Sequence, residues 1–210
     1  MRHVSQACIR PYRDSDLEDL YRICLQTGDG GEDATSMFDD PRILGHVFAA
    51  PYGLFEPSLA FVAEDEAGVG GYIVAALDSR AFEKRLEAGW WPALRNRYPA
   101  PPPELPPDQR TPDQRAAGFI HAPLTVPDEL AGDYPSHLHI NLVPRLQSQG
   151  LGRQLMDTLM RALREQGSVG LHLFVWPANQ RAIGFYRHLG FTVISAEGPV
   201  IFAMDLRPAA

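Results

Sequence analysis

Gln147-Ser148-Gln149-Gly150-Leu151-Gly152 (residues 147–152) opens a run in which Leu151, Leu155, Leu159 and Leu163 recur at helical spacing until Gly167 stops it. A glycine-bearing turn at the start of a helix leaves backbone N–H groups unpaired and sets the positive end of the helix dipole at one point. Such a point suits a phosphate or pyrophosphate. Just upstream, SHLHINLV (136–143) reads as a strand, so the unit is strand, turn, helix. Two nucleotide motifs do not fit it. A dinucleotide fingerprint needs a third glycine where Leu155 stands, and no Gly-Lys-Ser/Thr follows the turn. A plain connection, whose glycines only ease the backbone, is the remaining alternative.

Working outward, GLHLFVW (170–176) is a strand, residues 178–189 a helix ended by Gly190, and FTVIS (191–195) and VIFAMDL (200–206) the last strands. On the other side, ACIRPY (7–12) reads as a strand. Asp14-Ser15-Asp16 offers an N-cap to a helix carrying Leu17, Leu20, Tyr21, Cys24 and Leu25, and Gly28, Gly30 and Gly31 end it. The pattern predicts a helix over 36–50. LAFVAED (59–65) and GGYIVAALD (70–78) form a hairpin around Glu66-Ala67-Gly68, and a helix is expected over 80–98. Six of the nine residues from Pro99 to Pro107 are proline, which excludes helix and central strand there. That segment belongs to an insertion over 79–133. The element order predicts an α/β (mixed α+β) fold: one domain over 1–210, with a central mixed, largely antiparallel sheet and helices on both faces.

Composition bounds the function. The chain has 210 residues, 45% hydrophobic and 21% charged, with a formal charge of −7. An acidic chain gains nothing from phosphate-backbone attraction, so no nucleic-acid partner is expected. No apolar run approaches the roughly 18–20 residues of a membrane span, and the first residues lack a secretory apolar core. Cys8 and Cys24 make no disulfide framework and read as small packed apolar groups. A cytoplasmic protein without membrane contact, monomer or homodimer, is the expectation.

Downstream of the turn stands Asn179-x-x-Ala182-x-x-Phe185-Tyr186, then Leu189-Gly190-Phe191. With Leu142-Val143-Pro144, the Q-x-x-G-x-G turn and the early IRPYRDSDLEDL, this order resembles the GNAT superfamily of N-acetyltransferases. Within it, the stretches YPSHLHINLVPRLQSQGLGRQLM and LHLFVWPANQRAIGFYRHLGF are similar to the acetyltransferase-like domain at the C-terminus of eukaryotic O-GlcNAcases and its free-standing bacterial relatives. The resemblance covers nearly the whole chain, the insertion least. It implies a GNAT-like fold and acetyl-CoA as cosubstrate, bound by the backbone of Ser148, Gln149, Gly150, Leu151, Gly152 and Arg153, with Asn179 and Tyr186 from the following segment. A main-chain N–H near Leu142 and Val143 would polarise the thioester, and Tyr186 matches the family's acid for the departing thiolate.

Acetyl transfer to an amine also needs a base. A lysine-like amine is neutral about once in 10³–10⁴ molecules at pH 7, a deficit of roughly 4–5 kcal/mol. On the strand 136–142, Leu138, Ile140 and Leu142 share one face; His137, His139 and Asn141 share the other. No carboxylate stands there, so His139 or His137 is the candidate base. Two hydrogen-bonded structural histidines are the alternative. The His-x-His spacing has no third ligand at suggestive spacing, so no metal is expected. Trp90, Trp91 and Tyr98 could wall an acceptor, as could Asp133 and Tyr134 at its mouth. Asp29, Glu32 and Asp33 form an acidic loop that an amine could enter. The acceptor, a small molecule or a protein lysine, is not named by the sequence. Neither cysteine lies near the motifs, so direct attack in a ternary complex is expected. The rivals are an acetyl-CoA-binding module without turnover and a nucleotide-dependent enzyme.

Overall fold

The computed structural model describes residues 7–208; residues 1–6 and 209–210, part of the expected 1–210 domain, lie outside the described residues. In chain order the elements are β1 (Cys8–Pro11), α1 (Leu17–Gln26), α2 (Ile43–Phe48), α3 (Ala50–Phe55), β2 (Ala60–Asp65) and β3 (Gly68–Ala76). Then come α4 (Ser79–Gly89), α5 (Trp91–Arg97), α6 (Pro112–His121), α7 (Asp128–Asp133) and β4 (Ser136–Leu142). The chain closes with α8 (Leu151–Glu165), β5 (Gly170–Val175), α9 (Gln180–His188), β6 (Thr192–Ser195) and β7 (Val200–Asp205). The sheet order is β1-β2-β3-β4-β5-β7-β6, and among the described residues only the β4–β5 pair is parallel. The expected mixed, largely antiparallel sheet is therefore present.

The β4–β5 pair is where the sheet opens. β4 pairs with β3 from His137 to Leu142, and β5 pairs with β7 along its full length. Between themselves, β4 and β5 pair only at Ser136–Leu171 and His137–His172. Beyond that point the two strands diverge, and their free edges face each other across a wedge.

Each sheet face carries its own core, because alternate residues of a strand point to opposite sides. From β3, Ile73 and Ala75 join Leu138, Leu155, Met156, Leu159, Leu163, Ile183 and Phe202 on the α8 face. Tyr72, Val74 and Ala76 join Leu20, Ile23 and Cys24 on the other. Leu155 and Leu159 are fully buried, each worth about 1.5–3 kcal/mol of burial. Residues 79–133 pack into the second core through Phe82, Leu86, Trp91, Leu94, Tyr98 and Ile120.

Prolines break two of the expected helices. The 36–50 helix becomes a short 3-10 turn at Thr35–Met37 and then α2 and α3, which meet at Ala49. Pro41 lacks the N–H that a continuous helix needs, and Pro51 sits in the first turn of α3, where that loss costs nothing. Pro92 likewise starts α5, so 80–98 divides at Trp90. Cys24 is buried, and that burial pushes its thiol up to about 12, whereas Cys8 is exposed rather than packed.

Candidate active site

The turn after β4 is built to leave donors free. Gln147 Nε2 donates to the Leu142 carbonyl at 2.6 Å, and Gln149 Nε2 to the Arg145 carbonyl at 2.6 Å, which fixes the entry. Ser148 and Gly150 both hold left-handed backbone, φ 60° and 77°. Helical bonding resumes with Gln154 N–H to the Gly150 carbonyl at 3.1 Å. Among the described residues, the N–H groups of residues 148–153 donate to nothing. They converge at the N-terminus of a fifteen-residue helix, a geometry that fits a diphosphate. Gly152 permits close packing: a Cβ there would lie 3.3 Å from the Phe185 ring and 3.5 Å from Leu142 Cδ1. The turn, the end of β4 and the middle of α9 thus meet at one point. Arg153 is exposed, with only a loose 3.9 Å pairing to Asp157.

The register of β4 decides which main-chain donor faces the wedge. Val143 N–H donates to the Gly70 carbonyl at 2.9 Å. Bonded and non-bonded pairs alternate in an antiparallel ladder, so the Gly71–Leu142 pair is non-bonded. The N–H of Leu142 therefore points away from β3, into the wedge. Of the two donors expected from sequence, Val143 is already committed and Leu142 is free.

On the face opposite α8 lie His137 and His139, as the alternation of β4 requires. The Tyr52 hydroxyl is 2.9 Å from His137 Nε2 and 3.1 Å from His139 Nε2. Ser79 Oγ is 2.7 Å from His137 Nδ1. Phe48 and Tyr52 stand edge-on to the His139 ring, at centroid distances of 5.5 and 5.2 Å. Burial lowers His139 to about 4 and pushes His137 well below the ordinary histidine range, so both are neutral at pH 7. Asn141 Nδ2 donates to Thr27 Oγ1 at 2.5 Å, a structural role. His172 on β5 faces His137, ring centroids 5.7 Å apart, and its Nδ1 donates to the Tyr134 carbonyl at 2.6 Å.

Sequence reasoning did not single out Tyr52 or His172. The alternation of LHLFVW places His172 on the face opposite Leu171 and Leu173, beside His137, and could have found it. Nothing in the local sequence marks Tyr52, which lies 85 residues from His137.

Tyr186 sits on the α8 side of the wedge. Its ring packs against Phe185, Phe191 and Phe202 at 5.3, 5.5 and 5.6 Å. The 100° step between helical neighbours therefore does not give Phe185 and Tyr186 separate environments, because Phe185 turns edge-on to its neighbour. Burial raises the Tyr186 phenol above its ordinary range and keeps it protonated, and its hydroxyl has no partner among the described residues. Asn179 caps α9, its Oδ1 accepting the Ala182 N–H at 2.9 Å.

The tryptophans do not wall an acceptor site. Trp91 and Tyr98 are buried in the core, and Trp90 Nε1 donates to the His46 carbonyl at 2.9 Å. Glu32 and Asp33 instead line a cavity of about 310 Å³ with Val143 and Arg145, beside the end of β4. Phe174 and Trp176, 44% and 61% exposed, lie on the β5 edge of the wedge.

A sequence model of the acetyltransferase (GNAT) family matches residues 5–191. The chain belongs to this family. This GNAT chain is 38% identical to SsHAT, whose crystal structure superimposes with a TM-score of 0.88 over 97% of this chain and 100% of that one. It is 26% identical to Rattus norvegicus protein O-GlcNAcase across 193 residues, covering 90% of this chain and 20% of that protein. It thus spans about a fifth of the length of the curated relatives it matches first. The structure of yncA from Salmonella typhimurium, solved with its cofactor acetyl-CoA, shares the fold at 17% identity, with a TM-score of 0.58 over 98% of this chain and 97% of that one. Among the described residues, no helix is long and apolar enough to cross a membrane.

Proposed function

We propose that this GNAT chain is an acetyl-CoA-dependent N-acetyltransferase that works by direct attack of an amine in a ternary complex. The observation that carries the reading is the wedge itself. At one end it has six uncommitted backbone donors, from Ser148 to Arg153. On its wall it has the Leu142 N–H. His139 lies on one side and Tyr186 on the other. Bound acetyl-CoA supplies the activated acetyl group as a thioester.

The residues divide the work. The 148–153 backbone holds the diphosphate, with Arg153 as an added cation. Leu142 N–H stabilises the oxygen on which negative charge develops, an effect commonly worth a few kcal/mol. His139 takes the proton from the attacking nitrogen as the new C–N bond forms. Tyr186 gives its proton to the sulfur as the C–S bond breaks. Glu32 and Asp33 near the end of β4 favour a cationic amine, and Phe174 and Trp176 favour one with an apolar or aromatic body.

The rival reading is an acetyl-CoA-binding module without turnover. It draws support from one observation: β4, Ser136–Leu142, carries no carboxylate. Thiol release from acetyl-CoA with a panel of amines separates the two. Polyamines, arylalkylamines and lysine peptides should be included. Release that depends on one acceptor class supports the enzyme; tight acetyl-CoA binding with no acceptor-dependent release supports the module.

A further inference from the structure

A chain of four hydrogen bonds runs from the start of α4 to His139, and the chemistry of one end orients all of it. Ser79 Oγ lies 2.7 Å from the Pro135 carbonyl oxygen. A carbonyl has no proton to give, so two oxygens this close require the serine proton between them. The Ser79 hydroxyl is thereby spent. The 2.7 Å contact between Ser79 Oγ and His137 Nδ1 then needs its proton from the ring, making His137 the Nδ1–H tautomer.

Burial keeps His137 neutral, so its Nε2 is a lone pair. The Tyr52 hydroxyl, kept protonated by its own burial, donates to that lone pair at 2.9 Å. Its oxygen is then left as an acceptor. His139 Nε2, 3.1 Å away, fills it by donating its own proton. Packing holds the middle of the chain in place. Ser79 is fully buried, and the Tyr52 ring stacks on Phe82 at 4.6 Å. His172 does not enter the chain, because its Nδ1–H is committed to Tyr134.

We infer that Ser79, His137 and Tyr52 are positioning residues whose one-way hydrogen-bond chain holds His139 as the Nε2–H tautomer, leaving His139 Nδ1 as the bare lone pair that serves as base. The inference rests on the acetyl-transfer reading only for the word base; the tautomer stands without it. None of the three touches the reacting atoms. They act by deciding which nitrogen of His139 carries the proton, as the orienting member of a catalytic triad does.

Long-range proton–nitrogen correlation spectra of the ¹⁵N-histidine-labelled full chain read each tautomer directly, with His139→Gln assigning the His139 signals. The expected result is His139 with Nδ1 bare and Nε2 protonated, and His137 with the reverse. Ser79→Ala removes the acceptor for His137 Nδ1–H. The chain should then invert: His137 donates from Nε2 to Tyr52, Tyr52 donates to His139, and His139 becomes Nδ1–H. Turnover should fall about 10²-fold or more with the KM for acetyl-CoA unchanged, and Ser79→Thr should restore both tautomers and rate. A wild-type His139 protonated at Nδ1 overturns the inference, whether or not the variants fold. So does Ser79→Ala that folds and leaves both tautomers as they were. The expected tautomers in a protein that transfers acetyl to no amine would sink the proposed activity while leaving the chain intact.

Discussion

Gly150→Ala isolates the contribution of the turn to binding. Gly150 holds φ 77°, and no atom lies closer than 3.9 Å to the place its Cβ would take. The substitution therefore creates no clash, and its cost is conformational. Left-handed backbone costs a non-glycine residue roughly 1–2 kcal/mol. Ser148, Gln149 and Gly150 are exposed, so no packing forces the alanine to stay left-handed in the free protein. The turn relaxes, and the cradle of N–H groups must be rebuilt when ligand binds. The cost then appears in affinity, as about a 5–30-fold rise in the Kd for acetyl-CoA. Stability should move by less than the roughly 2–4 °C in Tm that a full 1 kcal/mol would produce in a chain this size. Isothermal titration calorimetry and a thermal melt on the same sample read both quantities. Ser148→Gly is the matched control: it relieves the strain at φ 60° and should not weaken binding. A folded Gly150→Ala protein that binds acetyl-CoA as tightly as the wild type would refute the placement of the diphosphate on this turn.

Three further outcomes follow from the same geometry. Tyr186→Phe keeps the ring in its aromatic cluster and removes only the proton donor, so kcat should fall on the order of 10²-fold or more while acetyl-CoA affinity holds; unchanged turnover removes Tyr186 from the mechanism. Burial lowers both His46 and His139 to about 4, so between the ordinary histidine value near 6.5 and that point the unfolded chain binds more protons than the folded one. Their stability contribution is complete above about pH 6.5 and is lost as pH falls toward 4, by up to about 3 kcal/mol each at 1.4 kcal/mol per unit. Thermal melts from pH 7.5 to 4.5 should show that fall, and His139→Gln should make it shallower while His46 and His137 keep the rest; a Tm independent of pH across this window contradicts the burial of these rings. Asn179→Ala removes the cap of α9 and should cost about 1 kcal/mol, read as a Tm loss of roughly 2–4 °C, with little change in acetyl-CoA affinity. A large loss of affinity at unchanged Tm would assign Asn179 to the ligand instead.

The sequence made the second half of the fold legible because strand, glycine turn and helix follow one another within it. The alternation of SHLHINL correctly assigned the two faces of β4, and the spacing of Gly150 and Gly152 marked the turn. The errors fell where a local signal was outweighed by another already present. Pro41, Pro51 and Pro92 interrupt apolar patterns that otherwise read as single helices. Trp90, Trp91 and Tyr98 looked available because they sit in a proline-rich, loop-like stretch, yet Trp91 and Tyr98 complete the core on the α1 face of the sheet and Trp90 packs against it. What no local pattern contains is the meeting of Tyr52, Ser79 and His137, brought together by the sheet from three separate segments. The direction of their hydrogen bonds depends on a single carbonyl, that of Pro135, and is visible only in three dimensions.

A crystal structure of the protein with acetyl-CoA tests the placement of the cosubstrate most directly. The expected complex has phosphate oxygens within about 3 Å of the N–H groups of residues 148–153, the thioester carbonyl on the Leu142 N–H, and the acetyl group between β4 and β5 with His139 on one side and Tyr186 on the other. Acetyl-CoA bound away from that wedge, or with its diphosphate off the turn, would contradict it.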